Sequence, residues 1–402
     1  MEEWKEYKLG DICSHVCSGG TPSSKHAEYY DGDIPWLNTK EINFNRIYNT
    51  EKCITEEGLN NSSAKWIAEN SVIVAMYGAT AGKTAIAKIP VTTNQACCNL
   101  TIDSTMADYR FVYYFLRYKF VELASLANGG AQQNLNAQII KDFDIVLPSL
   151  KEQTQISDLL SSFDDKIEVN RRINDNLEQQ AQALFKSWFV DFEPFRDQPF
   201  VESELGMIPE GWKAGSLEDI TTQKAERVGG REDVKVLSPV TTGQLMLSEE
   251  YFTKQVFSES IAKYKVVEKG DFAYNPARVN IGSLGRNNYS FDGCVSPVYV
   301  VFSCKDGYAH LFDLYRKTEK FKTEVNLRAI GGVRQSLNYK DFAFIQCIIP
   351  PLYVVEEFNA IYDHLLVIQK HTDEESDRLA SLRDTLLPRL MSGEIKVGDI
   401  TL

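Results

Sequence analysis

The sequence lacks the patterns that would make it a metalloprotein, a disulfide scaffold or a membrane protein. None of its eight cysteines forms a C-x-x-C pair, and its five histidines are scattered with no two at metal-ligand spacing. No apolar run approaches the roughly 20 residues of a membrane helix, and the opening MEEWKEYKLG has no signal-peptide core. We therefore expect a cytoplasmic protein with no membrane partner, whose cysteines are small buried side chains in a reducing compartment.

A net positive charge is also absent: 56 acidic residues outnumber 43 basic ones, and the formal net charge is −13 over 402 residues. Acidic residues outnumber basic ones most strongly in 149–200 and 351–402, whereas the two signs balance in 201–350. The length allows two domains, and 43% apolar with 25% charged residues is ordinary for a globular protein. Charge permits local basic faces in the balanced part but does not by itself point to DNA.

Two segments resemble catalytic motifs and depart from them. Residues 77–84, YGATAGKT, lack the first glycine of a phosphate-binding P-loop and run into an alternating, strand-like pattern. We predict a glycine-rich hairpin there that brings Thr80 and Lys83 close to a phosphate chain. Residues 275–278, NPAR, lack the second proline and the aromatic ring of an amino-methyltransferase motif. The acidic pair Asp164-Asp165 is interpreted as solvated helix surface, so we expect neither a catalytic centre nor a metal site.

The chain repeats itself at an offset of 202 residues. The repeated segments are GGAQQNLN at 129–136 with GGVRQSLN at 331–338, and IVLP at 145–148 with CIIP at 347–350. The opening WKEYKLGDI at 4–12 also recurs, as WKAGSLEDI at 212–220. A long segment with helical periodicity follows each proline. The ordered series indicates a duplicated unit, in which a globular part precedes a helix.

Each long segment has a seam of residues at heptad spacing, typical of a coiled coil. In the first segment the seam is Ile156, Leu160, Phe163, Ile167, Asn170, Asn174, Leu177, Ala181, Leu184 and Trp188. In the second it is Phe358, Tyr362, Leu365, Gln369, Thr372, Ser376, Leu379, Arg383, Leu386 and Leu390. Both seams are apolar at their ends and polar in the middle, which favours antiparallel pairing of the two helices. The alternative is two amphipathic helices, each lying on its own domain.

Short β-rich runs separated by Gly, Pro and Asn clusters, with helical patterns at 109–127 and 308–325, predict a mixed domain in each half. The predicted fold class is α/β (α+β): two similar mixed α/β domains separated by two long antiparallel helices that form a coiled coil, with a pseudo-two-fold internal repeat. The predicted boundaries are 1–148 for the first domain, 149–192 for the central helix, 193–210 for a linker, 211–350 for the second domain, 351–392 for the C-terminal helix and 393–402 for a tail.

Several stretches resemble the specificity subunits of Type I restriction–modification systems. The most specific are LFKSWFVDF at 184–192, LGMIPEGW at 205–212 and LRDTLLPRLMSG at 382–393. DIPW at 33–36 and TNQA at 93–96 are similar to one kind of recognition domain, and YNPAR at 274–278, NIGS at 280–283 and SP at 296–297 to another.

The resemblance implies a non-catalytic subunit with two target-recognition domains, each reading one half of a split sequence in double-stranded DNA. The helices would set the gap between the halves. Two methyltransferase (M) subunits using S-adenosylmethionine would dock on the helical core, and motor-nuclease (R) subunits would add ATP- and Mg²⁺-dependent translocation and cleavage. No cofactor is expected in this chain.

The repeated Gly-Gly loops are the first candidates for base recognition, since Arg reads guanine and Gln or Asn reads adenine bidentately in the major groove. The alternative is an ordinary polar hairpin. The candidates are Gln132, Gln133 and Asn134 in the first half and Arg334, Gln335 and Ser336 in the second. Further candidates are Thr21, Trp36, Tyr77, Thr80, Lys83 and Gln95, and in the second domain Arg278, Asn280, Ser283 and Arg286.

Some of these further candidates have a second interpretation. Trp36 and Tyr77 fit equally well as core aromatic residues. Lys83, Arg278 and Arg286 fit as phosphate contacts, which position a protein on DNA without specifying sequence.

The candidate partner-binding residues lie at the helix ends: Phe185, Trp188, Phe189, Leu387 and Leu390. Aromatic residues there either cap the helices against the next domain or anchor a partner subunit. A rival function is a coiled-coil scaffold that joins two protein-binding modules and has no DNA role. It explains the duplication and the acidity but not the paired Gln and Arg loops.

Overall fold

The computed structural model describes residues 4–127, 134–252, 260–329 and 336–400. The chain divides into two compact units, Met1–Arg171 with Asp373–Leu402 and Arg172–Thr372. Two 40-residue helices, the central helix Leu150–Phe189 and the C-terminal helix Leu352–Met391, each contribute about half of their length to each unit. In the part of the chain that is described, no helix is both long enough and apolar enough to span a bilayer.

The globular part of the first unit contains two main β-sheets. Its strands are β1 (Lys5–Lys8), β2 (Cys13–Ser18), β3 (Tyr30–Leu37), β4 (Asn45–Ile47), β5 (Lys52–Ile54), β6 (Trp66–Ile67), β7 (Val72–Ala75), β8 (Thr84–Ala87), β9 (Val91–Thr93), β10 (Cys97–Ile102) and β11 (Asp144–Leu147). One sheet has the order β2-β10-β7-β8-β4, the other has the order β5-β3-β9-β6, and β1 pairs with β11. The short helices are Glu56–Asn60, Tyr109–Tyr118, Phe120–Ser125 and Ala137–Lys141, with 3-10 turns at Leu9–Ile12, Ala27–Tyr29, Thr39–Glu41 and Gly78–Thr80.

The helix Tyr109–Tyr118 forms the centre of the first unit's core. It begins at Asp108, whose carboxylate accepts the backbone N–H of Arg110 and so caps the helix. Its six residues from Phe111 to Leu116 are all buried. They pack in one cluster with the five-stranded sheet and with apolar residues of both long helices. Burial of this apolar surface fixes the sheet against the helices.

The second unit has a corresponding but differently paired set of strands. They are β12 (Phe200–Ser203), β13 (Gly206–Pro209), β14 (Lys213–Ser216), β15 (Thr221–Lys224), β16 (Lys235–Pro239), β17 (Leu245–Leu247), β18 (Lys265–Val267), β19 (Phe272–Tyr274), β20 (Leu284–Arg286), β21 (Gly293–Val295), β22 (Val300–Cys304) and β23 (Gln346–Ile349). The sheets have the orders β15-β22-β19-β20, β17-β16-β21-β18, β12-β13 and β14-β23. The short helices are Ser248–Tyr251, Ala309–Tyr315, Glu319–Arg328 and Tyr339–Ala343, with 3-10 turns at Glu193–Phe195, Leu217–Asp219 and Val279–Ile281.

The internal repeat is confirmed by pairs of elements in which both the first and the last residue of one element lie 202 residues before those of the other. These are β11 with β23, the helix Ala137–Lys141 with Tyr339–Ala343, and the central helix with the C-terminal helix. The predicted fold of mixed α/β halves with two long helices is therefore confirmed.

The two long helices pair antiparallel within each unit. In the first unit, Ile156 and Leu160 share a buried cluster with Leu387 and Leu390. In the second unit, residues near the end of the central helix share another cluster with residues near the start of the C-terminal helix, Phe185 and Phe189 with Phe358 and Tyr362. The predicted pairing is thus confirmed in each unit, and the alternative of separate helices on separate domains is wrong.

The predicted helices at 109–127 and 308–325 are each interrupted. The first is interrupted at Lys119, whose backbone leaves the helical region. In the second, a new helix begins after Thr318, whose hydroxyl accepts the N–H of Phe321. The predicted linker holds β12, β13 and a 3-10 turn, and the predicted tail holds the 3-10 turn Val397–Asp399. The domain boundaries themselves stay predictions.

Candidate DNA-recognition surface

In the first unit, the glycine-rich turn and the end of the Gly-Gly loop lie side by side. β7, the turn Gly78–Thr80 and β8 form the predicted hairpin. Tyr77 and Asn134 form an antiparallel bridge, and the N–H of Leu135 donates to the carbonyl of Met76 at 2.8 Å. Leu135 is buried, whereas Asn134 is exposed. We call this contact the loop anchor, because it fixes the loop end and leaves Asn134 at the surface.

The hairpin brings three further candidates next to this anchor. Gly78 and Gly82 have φ of +72° and +85°, a conformation that favours glycine and makes the tight turn possible. Lys83 donates from Nζ to Oδ1 of Asn43 at 2.7 Å, and its N–H donates to the carbonyl of Thr80. Tyr77 is 41% exposed, so its interpretation as a core aromatic is wrong. Gln132 and Gln133 lie outside the described residues.

Thr21 and Gln95 form a second exposed pair in the first unit, since the Thr21 hydroxyl donates to the Gln95 side chain. Trp36 lies beneath them. It is 5% exposed, and its Nε1–H donates to the carbonyl of Gly20 at 2.9 Å. The core interpretation of Trp36 is therefore the right one: it supports the Gly20-Thr21 backbone from inside. Trp36 is therefore not a candidate for contacting DNA, because its ring is not accessible.

The loop anchor recurs in the second unit. The N–H of Leu337 donates to the carbonyl of Pro276 at 3.1 Å. Leu337 is buried and Ser336 is exposed, as are their equivalents 202 residues earlier. The repeated sequence has therefore produced the same support for both loops. Arg334 and Gln335 lie outside the described residues.

The NPAR segment forms a compact turn beside this second anchor. Oδ1 of Asn275 accepts the N–H of Ala277 at 3.0 Å, Arg278 is exposed, and Asn280 is half-buried. Ser283 is 1% exposed and donates to the carbonyl of Pro239 at 2.6 Å. We remove Ser283 from the DNA-contacting set, because its hydroxyl is used inside the domain.

Arg286 is also held by the protein. Its Nη1 donates to Nδ1 of His310 at 3.1 Å, and its guanidinium lies 5.7 Å from the ring centre of Phe272. A guanidinium can only donate, so Nδ1 of His310 accepts and the proton sits on Nε2, which is 3.1 Å from Oδ1 of Asp363. Burial, followed by the charge of Arg286, lowers the pKa of His310. Arg286 thus begins a chain of contacts from β20 to the C-terminal helix and is not an extended phosphate contact.

The candidate partner-binding residues belong to the chain's own packing. Phe185, Phe189, Leu387 and Leu390 are buried. Trp188 is half-buried, with its ring centre 5.8 Å from that of Phe195 and 5.8 Å from that of Phe358. The cap interpretation is therefore the one that the structure supports.

Sequence reasoning missed a buried charged group in the first unit. Oδ1 of Asp164 accepts from Arg383 and Oδ2 accepts from the hydroxyl of Tyr114, both at 2.5 Å. The Asp164 and Arg383 side chains are 14% and 11% exposed. The interpretation of Asp164 as solvated surface is wrong, although Asp165 beside it is exposed. The apolar flanks of Arg383 in its seam were the available signal, because a lone arginine there needs an acidic partner.

Comparison with known proteins identifies the family. A profile described as "Type I restriction modification DNA specificity domain" matches residues 1–179. The type I restriction enzyme MjaIX specificity subunit of Methanocaldococcus jannaschii is 30% identical over 421 residues, which cover 99% of this chain and 95% of that protein. The chain belongs to the family of type I restriction enzyme specificity subunits.

Further relatives agree with this assignment. The HindI specificity subunit of Haemophilus influenzae is 21% identical to this specificity subunit, over 98% of this chain and 100% of that protein. The crystal structure of the S subunit of a type I restriction–modification system from M. genitalium has the same fold, with a TM-score of 0.54 at 17% identity and 96% coverage of both chains.

Family membership confirms three predictions made from the sequence. The chain belongs to the family that its motifs resemble, it is a DNA sequence-specificity subunit of a type I restriction–modification system, and it is a non-catalytic subunit. The rival function of a scaffold with no DNA role has no support among these relatives.

Proposed function

We propose that this specificity subunit reads a split sequence in double-stranded DNA, with one target-recognition domain for each half. The observation that carries the proposal is the repeated loop anchor. Leu135 and Leu337 make the same type of backbone hydrogen bond in their own units, and each places a polar residue, Asn134 or Ser336, at the surface. Two equivalent loops, one in each domain, match a target that has two half-sites.

The proposed readers extend from each anchor into the loop before it. Gln132, Gln133, Arg334 and Gln335 have the side chains that recognise adenine or guanine bidentately in the major groove. The remaining surface candidates support them: Thr21, Tyr77, Thr80, Lys83, Gln95, Arg278 and Asn280. The proposed recognition domains are 1–148 and 211–350, with the helices 149–192 and 351–392, the linker 193–210 and the tail 393–402 between and after them.

The proposed assembly contains two methyltransferase subunits and motor-nuclease subunits. S-adenosylmethionine, ATP and Mg²⁺ belong to those partners in this proposal. The net charge of −13 supports this division of roles, because a chain with 56 acidic against 43 basic residues is, as a whole, repelled by phosphates. DNA affinity should therefore be strongest in the assembled complex.

The test is methylation mapping with the complex. The specificity subunit and its methyltransferase subunit are co-expressed, and the methylated adenines are mapped on DNA of random sequence. The expected result is one motif with two defined halves and an undefined gap. A complex that shows no affinity for duplex DNA even at low salt would contradict the proposal and favour the scaffold function.

A further inference from the structure

A set of ion pairs and hydrogen bonds ties the globular part of the first unit to both long helices. We call this set the helix clamp. Its members are Arg46, Tyr48, Tyr114 and Arg117 from the globular part, Asp164, Asp165 and Glu168 from the central helix, and Arg383 and Asp384 from the C-terminal helix. All nine lie in the first unit.

The inner layer of the helix clamp joins three helices. Asp164 is bound by Arg383 and by the hydroxyl of Tyr114, both at 2.5 Å. Asp384 accepts from Arg117 and from Nε of Arg383, both at 2.9 Å. Each carboxylate therefore has a partner on a different helix. Hydrogen bonds of this kind are directional, so they fix angles that apolar packing leaves free.

The outer layer joins an edge strand to the central helix. Arg46 lies in β4, at the edge of the five-stranded sheet, and its side chain is 10% exposed. Its guanidinium contacts Asp165, and it lies 3.5 Å from Oε2 of Glu168. The hydroxyl of Tyr48 donates to the same oxygen at 2.8 Å. The edge of the sheet is thus tied to the central helix at residues next to and one turn beyond Asp164.

The helix clamp is present in one repeat only. Moving 202 residues from Asp164 and Asp165 gives Leu366 and Val367, and moving 202 residues back from Arg383 gives Ala181. The corresponding helix positions in the second unit therefore lack these two carboxylates and this arginine. The second unit ties its globular part to the long helices through different pairs, Lys317 with Glu178 and His310 with Asp363. The repeated fold therefore does not require the particular arrangement of charges in the helix clamp.

We propose that the helix clamp is a positioning device. It sets the orientation of the first recognition domain on the helix pair and thereby the separation of half-sites that the complex accepts. Its nine members are positioning residues and read no bases. This inference rests on the proposed function of a reader with two half-sites.

The experiment measures methylation at altered spacing. The complex is given duplexes that carry both half-sites with the natural gap, or with one base pair fewer or more. The variants are Arg46→Gln and the double variant Tyr48→Phe with Glu168→Gln, which remove outer contacts at nearly constant size. The wild type should lose at least about a hundredfold in rate when the gap changes, because one base pair shifts a half-site by about 3.4 Å and a misplacement of about 1 Å already costs that much. The variants should lose less than about tenfold, with both half-site sequences unchanged.

The matched control is Asp144→Asn, which removes the exposed Lys8–Asp144 ion pair between β1 and β11 without touching a helix. It should keep the wild-type dependence on spacing. Variants that are folded, as judged by circular dichroism, yet keep the wild-type ratio between spacings would overturn the proposal. An equal loss at every spacing would overturn it too, since it shows a purely stabilising role. A wild-type complex without any split motif would refute the proposed function, and the helix clamp proposal with it.

Discussion

The side-chain amide of Asn170 donates a hydrogen bond to the hydroxyl of Ser376 at 3.2 Å. In the repeat, Thr372 lies 202 residues after Asn170, and Asn174 lies 202 residues before Ser376. Thr372 and Asn174 are also hydrogen-bonded to each other. The first pair lies in the first unit and the second pair lies in the second unit. One repeated sequence has therefore made the same polar contact twice. Polar pairs in an apolar helix seam cost stability and fix register.

We expect Asn170→Ala to lower the free energy of unfolding by about 1–3 kcal/mol, since it removes a buried amide and leaves its half-buried polar partners without that donor. Asn170 is fully buried, and it also donates to Glu375 at 2.9 Å. Urea denaturation followed by circular dichroism measures the change. Asn176→Ala, at an exposed position of the same helix, should change the free energy by less than about 0.5 kcal/mol. Equal effects of the two substitutions would show that the Asn170 contact does not stabilise the helix pair.

The inner ion pair of the helix clamp gives a second prediction. Asp164→Ala should lower the free energy of unfolding by about 3–5 kcal/mol, because Arg383 stays buried without a carboxylate on the central helix. The double variant Asp164→Leu with Arg383→Leu should lose less, because no uncompensated charge is left in the seam. A double-mutant cycle that compares the single variants Asp164→Leu and Arg383→Leu with this double variant, by denaturant titration, measures the coupling. Losses that simply add would refute an energetic link between the two side chains.

The half-buried His310 predicts that the stability of the fold depends on pH. Burial and Arg286 lower its pKa below the ordinary value, so the unfolded chain takes up a proton first as the pH falls. The folded state favours the neutral form of His310. This contribution to the free energy of unfolding is therefore complete above about pH 6.5 and is lost as the pH falls below that value. The stability difference between wild type and His310→Gln should therefore narrow from pH 7.5 to 5.5. His364→Gln, at an exposed position of the C-terminal helix, is the control, and its difference from wild type should change less.

Base recognition by the second Gly-Gly loop is tested by Arg334→Ala. This variant should relax the preference at one base pair by about 1–3 kcal/mol, since arginine discriminates guanine by two hydrogen bonds. Methylation rates on duplexes with all four bases at each half-site position measure the effect. Lys340→Ala, at an exposed position in the same unit, serves as the control. Uniform weakening on every sequence would place Arg334 among the phosphate contacts.

Local sequence patterns were sufficient for the repeat, the helix seams and the glycine-rich hairpin. Heptad spacing and the positions of glycine and proline express short-range geometry, so they can be read without coordinates. Strand order was not predictable in this way. β4, for example, pairs in parallel with β8, 40 residues further along the chain, and only the folded core selects that pairing.

The candidate site was predictable only in part, for a related reason. Residue type alone could not tell that Trp36 is buried and that Tyr77 is exposed, because both are aromatic residues that follow apolar neighbours in the sequence. The link between Arg46 and Glu168 joins residues 122 positions apart, and no spacing rule connects them. Asp164 looked like its exposed neighbour Asp165, since a helix turns adjacent residues toward different environments.

The loop anchor has a consequence for the evolution of new specificities. Its atoms are a backbone N–H, a backbone carbonyl and a buried leucine, so mutations of the polar residues preceding Leu135 or Leu337 leave those atoms in place. Under the proposed function, a lineage can therefore acquire a new half-site sequence in one recognition domain at a time. The other recognition domain keeps its half-site sequence while the first one changes.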